Sequence, residues 1–148
     1  NQPIRIGAAA KVRPLLLDTC ALIFIAEDRD IRQEAADLLN GAYAAGVLTY
    51  VSPISAWEIG LLTSRNRLQL LTSPQRWFSR MLEAPFVRLA DMRPDLLIES
   101  SFLPGEPPRD PADRIIAATA RDLACTLLTR DRVLLAYGKQ GHVHVVEC

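Results

Sequence analysis

Short apolar runs alternate along this chain with longer segments whose apolar residues recur at helical spacing. After Pro14, Leu15-Leu16-Leu17 closes on Asp18; an unalternating run of this kind suits a strand buried on both faces, as in a parallel sheet. Thr19 to Glu27 then turns into a short helix. Ile31, Ala35, Leu38, Leu39 and Ala42 share one side of a second helix over 31–45, which ends at Gly46. Val47 to Val51 reads as a second buried strand. Ser52 or Ser55 can cap the next helix, which carries Trp57, Glu58, Ile59, Leu61 and Leu62, with Gly60 weakening its middle. A further helix over 74–83 holds Trp77, Phe78, Met81 and Leu82. Phe86 to Leu89 is a third strand, placed at an edge because Arg88 interrupts it, and 93–102 is helical again.

The stretch from Arg109 to Asp131 organises the rest. Asp110 is a good N-cap, Pro111 fits the first helical position, and Asp113 falls in the first turn. Ile116, Ala117, Ala120, Leu123 and Ala124 give that helix an apolar face. Cys125 to Thr129 follows as a fourth strand, stopping at Arg130-Asp131. A short helix over 133–137, Gly138 and Gly141 as breakers, and a strand over 143–146 complete the chain. Strands separated by helices imply an α/β fold with a mostly parallel sheet and right-handed crossovers.

That architecture gathers acids. Asp18 and Asp131 each stand just past the C-terminal end of a strand. Glu58 follows the second strand by about two helical turns, and Asp113 opens a helix whose first turn lies at the same edge. Ligands of open α/β sheets bind at that edge, where strand order reverses. Each acid also has an ordinary explanation. Asp18 could close a turn, Glu58 could be a solvated helix residue, Asp113 could serve capping, and Asp131 could cap the next helix. What those explanations leave out is the convergence of all four.

Carboxylates sharing one crevice repel, and without a cation some would take up protons. A hard divalent ion such as Mg²⁺ or Mn²⁺ resolves this, since it prefers oxygen ligands and sits beside substrate phosphates. Such an ion can polarise a phosphodiester and help ionise an attacking water. No Ser-His-Asp set, Gly-rich phosphate loop or Cys-x-x-Cys is present. His142, His144 and Cys148 match no standard zinc spacing. Arg109, Arg114, Arg130 and Arg132 flank the acids; they balance charge, and they could also meet a phosphate backbone.

Composition narrows the partners. With 148 residues the chain forms one domain, and Lys+Arg 17 against Asp+Glu 17 means that any nucleic acid must be held locally rather than by a basic field. An odd count of 3 cysteines favours reduced thiols and a cytosolic (cytoplasmic) location over a disulfide framework. No apolar run reaches membrane-spanning length and no secretory pattern is visible. Residues 1–13, carrying Pro3 and Gly7, read as a tail or linker ahead of a domain over 14–148.

In order, LLLDTCAL, SAWEIG, RDPADRIIAATA and LLTRD resemble the PIN domain, and more closely the VapC-type toxins of bacterial type II toxin–antitoxin systems, over nearly the whole chain from Leu15 onward. The resemblance implies a three-layer α/β/α fold with a five-stranded parallel sheet in the order 3-2-1-4-5. It implies metal-binding acids at Asp18, Glu58, Asp113 and Asp131, and a Mg²⁺- or Mn²⁺-dependent endoribonuclease whose attacking water leaves a 5′-phosphate. It further implies a homodimer and a cognate VapB-like antitoxin whose tail places a basic residue in the acidic site. Where members often carry His-Arg before Asp-Pro, this chain has Pro108-Arg109; where many have Asn, it has Cys20. Two rivals remain. A haloacid-dehalogenase-type phosphatase needs a second acid two positions after the first, where Cys20 stands. A non-catalytic PIN-like module would only bind RNA or a partner protein.

Overall fold

The computed structural model describes residues 12–148, so most of the expected tail, 1–11, lies outside the described residues. Five strands form one parallel sheet: β1 (Leu15–Leu17), β2 (Thr49–Val51), β3 (Val87–Leu89), β4 (Thr126–Thr129) and β5 (His144–Glu147). Their order is β3-β2-β1-β4-β5. The chain therefore builds outward from β1 in one direction, returns, and builds outward through β4 in the other. The reversal falls between β1 and β4, which pair with Leu17 opposite Leu128. β3 is an edge strand, as Arg88 suggests.

The central strands are buried on both faces, and alternate residues serve opposite layers. Leu15 and Leu17 pack with α1 (Thr19–Ala26), α2 (Gln33–Ala45), α3 (Pro53–Ser64) and α4 (Pro74–Leu82). Leu16 and Leu127 instead face α6 (Pro111–Asp122) and α7 (Arg132–Lys139). Each fully buried leucine contributes about 2 kcal/mol relative to exposure, and the two polar residues of TLLT, Thr126 and Thr129, are buried with their hydroxyls hydrogen-bonded. Trp77 and Phe78 are half-buried against the first of these layers. The short α5 (Pro94–Glu99) is tied to α6 by Arg93, which bridges Asp95 and Asp122.

Three local expectations need correction. The helix expected over 93–102 stops at Glu99, where the Ser100 hydroxyl donates to the Leu97 carbonyl (2.6 Å), and Phe102 beyond it is exposed. β4 starts at Thr126 rather than Cys125, because the Cys125 N–H still closes the helix end by bonding the Ala120 carbonyl. Gly138 does not break a helix. α7 runs through it to Lys139, and a Cβ there would stand 2.7 Å from the Val145 side chain. The glycine lets α7 lie close against β5.

Candidate active site

Asp18 leaves β1 at its C-terminal end and caps α1, accepting from the Ala21 N–H at 2.8 Å. It is only 4% exposed. The buried Thr129, at the matching end of β4, donates its hydroxyl to the other carboxylate oxygen. The same Thr129 oxygen accepts from the Asp131 N–H at 3.0 Å, and Asp131 caps α7 through the Leu134 N–H at 2.9 Å. One threonine thus fixes two acids across the reversal point, and both acids are also caps.

On the other side, Ser52 rather than Ser55 caps α3. Ser55 instead shares a hydrogen bond with Thr19 Oγ1 at 2.9 Å, and Thr19 donates to Glu58 at 2.6 Å. That pair holds Glu58 against the start of α1. Asp110 caps α6 by accepting the Asp113 N–H at 3.0 Å, which turns Asp113 into the crevice at the positive end of that helix.

The electrostatics show that these acids share one environment. Burial pushes the Asp113 carboxyl up to about 7, reinforced by the charges of Asp131, Asp110, Glu58 and Asp18. Burial likewise raises Asp18 to about 6; the hydrogen bonds from Thr129 and Ala21 pull down, and the charges of Asp131 and Glu58 push up. Glu58 is raised by burial and by Asp110 and Asp131, against the Thr19 hydrogen bond. The charges of Asp18, Glu58, Asp113 and Asp131 thus act on one another at this end of the sheet, and Asp110 adds a fifth. Sequence reasoning missed Thr19, Ser55 and Thr129. The LLT ending of β4 was the available signal for Thr129, since a buried hydroxyl at a strand end needs a partner.

As placed, the carboxylates do not close around a point: among the described residues no three His, Cys, Asp or Glu side chains stand together as a ready-made metal cage. His144 is engaged with Thr126 and Cys148 packs in the opposite core layer, so the two do not gather with His142. The donor set of the four acids is all oxygen and its charges are mutually unfavourable, which suits a hard divalent cation.

A parallel sheet ordered 3-2-1-4-5, with carboxylates from four elements at its reversal point, defines an α/β domain of the acidic-site kind. The profile of the PIN domain family matches residues 15–140, and the chain belongs to that family. Among curated relatives, ribonuclease VapC22 of Mycobacterium tuberculosis is 34% identical over 87 residues, covering 59% of this chain and 65% of that protein. The aligned part is thus just under two thirds of the relative's length. Among solved structures, VapBC2 from Rickettsia felis bound to a promoter DNA fragment matches with a TM-score of 0.60 at 13% identity, covering 90% of this chain and 97% of that one. FitAcB from Neisseria gonorrhoeae matches with a TM-score of 0.52 at 21% identity, covering 88% and 95%. These likenesses agree on the fold. The haloacid-dehalogenase alternative falls with them.

Proposed function

We propose that this chain is a divalent-metal-dependent endoribonuclease, the toxin of a type II toxin–antitoxin pair, with Asp18, Glu58, Asp113 and Asp131 as its functional acids. The convergence of those acids at the β1/β4 reversal supports the reading, and the identity with a ribonuclease over the matched 87 residues adds to it. Asp18 and Asp113 would be the principal ligands of Mg²⁺ or Mn²⁺, with Glu58 and Asp131 completing the shell. A bound divalent ion supplies charge neutralisation of the phosphodiester and a lower pKa for an attacking water.

The protein's own residues prepare that role. Thr129 aims Asp18 and, through the Asp131 N–H, fixes the opposite wall of the crevice. Thr19 and Ser55 hold Glu58 inward, where its carboxylate can accept a proton from water at the site. Asp113, which burial raises to about 7 in the metal-free protein, would give up its proton on binding the ion. The expected partners are an RNA substrate, a VapB-like antitoxin and a second copy of the chain. The expected setting is the cytoplasm; no described helix is long and apolar enough to cross a membrane.

Incubation with single-stranded RNA in EDTA, Mg²⁺ or Mn²⁺ tests the proposal. Cleavage should need the divalent ion and disappear in Asp18→Asn and Asp131→Asn. If either variant cut RNA as well as the wild type, the assignment of the acids would fail. If the wild type bound RNA but neither cut it nor gained thermal stability from divalent ions, the chain would be a binding module.

A further inference from the structure

Four arginines border the acidic crevice, and the structure distinguishes them. Arg114 donates to the Ser100 carbonyl, so it serves α6 and the loop after α5. Arg109 and Arg132 are exposed on either helix start. Arg130 differs. It sits between Thr129 and Asp131, both fixed, and its guanidinium carbon lies 4.3 Å from the centroid of the half-buried Phe24 ring on α1. Among the described residues it forms no salt bridge, although carboxylates surround its segment. Arg29, just past α1, approaches the same ring at 5.2 Å.

A cation stacked on an aromatic face is restrained without being neutralised. Its in-plane N–H groups still point outward, in the forked geometry that fits a phosphate. Phe24 lies six residues beyond Asp18 along α1, roughly 9 Å at helical rise, so the stacked guanidinium stands beside the acidic centre rather than in it. Of the two arginines, Arg130 lies closer to the ring, at 4.3 Å against 5.2 Å, and follows β4 at the end where Thr129 and Asp131 are fixed, which makes it the better-placed cation.

We infer that Arg130, seated on Phe24, is a substrate-positioning residue that holds a phosphate of single-stranded RNA next to the one being cut. The inference rests on the nuclease reading and adds to it the side of the crevice, toward α1, along which the strand leaves. It answers how a chain of zero net charge, with an acidic site, retains a polyanion.

The test separates binding from chemistry. The dissociation constant of a fluorescein-labelled single-stranded RNA is measured in Ca²⁺ across a salt series, and the saturating cleavage rate in Mg²⁺. Arg130→Gln, at an exposed position, should weaken binding about five- to tenfold and flatten the salt slope by about 0.7, the value for one lost contact on a single strand, while the saturating rate stays within about twofold. Arg130→Lys should fall between, because the ammonium keeps the charge but not the stack. Phe24→Leu, which keeps the helix apolar, should reproduce part of the binding loss with the charge intact. An unchanged affinity and salt slope in Arg130→Gln, or a lost rate with unchanged affinity, would overturn the assignment. If the wild type bound RNA in an Arg130-dependent way without cutting it, the nuclease reading would fail and the phosphate seat would stand. If the wild type cut RNA and Arg130→Gln were indistinguishable from it, the reverse would hold.

Discussion

Replacing Asp18 by Asn should give the metal-free protein an advantage over the wild type in denaturant that grows as the pH rises. The carboxyl is nearly inaccessible and its value stands at about 6 rather than 3.8. Because the folded value exceeds the unfolded one, the folded state keeps the proton between those limits while the unfolded chain has lost it. Stability therefore falls as pH rises from about 4 to about 6, and the full penalty applies above that window. A shift of about two units corresponds to roughly 3 kcal/mol over the whole span, of which about 2 kcal/mol falls between pH 4.5 and 7.5. Asn cannot titrate, yet it can still accept from the Ala21 N–H and donate to Thr129 Oγ1. Urea unfolding in EDTA at both pH values is the assay. The stability difference, Asp18→Asn minus wild type, should be about 2 kcal/mol larger at pH 7.5 than at pH 4.5. A pH-independent difference, or one that shrinks toward neutrality, would refute the claim that burial and neighbouring acids strain Asp18. Asp113, raised to about 7, extends the wild-type decline in the same direction toward neutral pH.

Further consequences concern the supports of the site. Thr129→Val should cost about 1.5–3 kcal/mol at neutral pH, since it removes a hydroxyl donated to a charged, buried carboxylate and unpairs the Asp131 N–H; chemical denaturation measures this. Gly138→Ala should destabilise by about 1–3 kcal/mol because its Cβ would meet Val145, and the loss should shrink when Val145→Ala is added. Asp110→Ala should lose about 1 kcal/mol of helix capping while Asp110→Ser largely retains it, in thermal unfolding compared side by side.

Much of the fold was legible because the strands are short and doubly buried. LLL before Asp18 and TLLT before Arg130 carry no alternation, which suits a parallel sheet covered on both faces. Asp18, Asp113 and Asp131 were legible because each directly follows a strand or opens a helix, and Glu58 because it lies about two turns into the helix after β2, positions set by local chain geometry. Their braces were not. Thr129 reaches Asp18 across 111 positions and Thr19 reaches Glu58 across 39, and no periodicity encodes a contact at such separation. Gly138 looked like a breaker because its cause, the approach of Val145, lies on the following strand. Phe24 reads from sequence as one more apolar helix residue; its partner Arg130 sits on another strand's end.

The carboxylates of the β1/β4 crevice are proposed to bind a divalent cation. Calorimetric titration of the protein with Mn²⁺ at about pH 6.5, in buffers of different ionisation enthalpy, tests this most directly. The raised Asp113 and Asp18 must give up protons to become ligands, so binding should release protons, and Asp113→Asn should lower both the affinity and the proton count. Binding that releases no protons and is unchanged by Asp113→Asn would contradict the account.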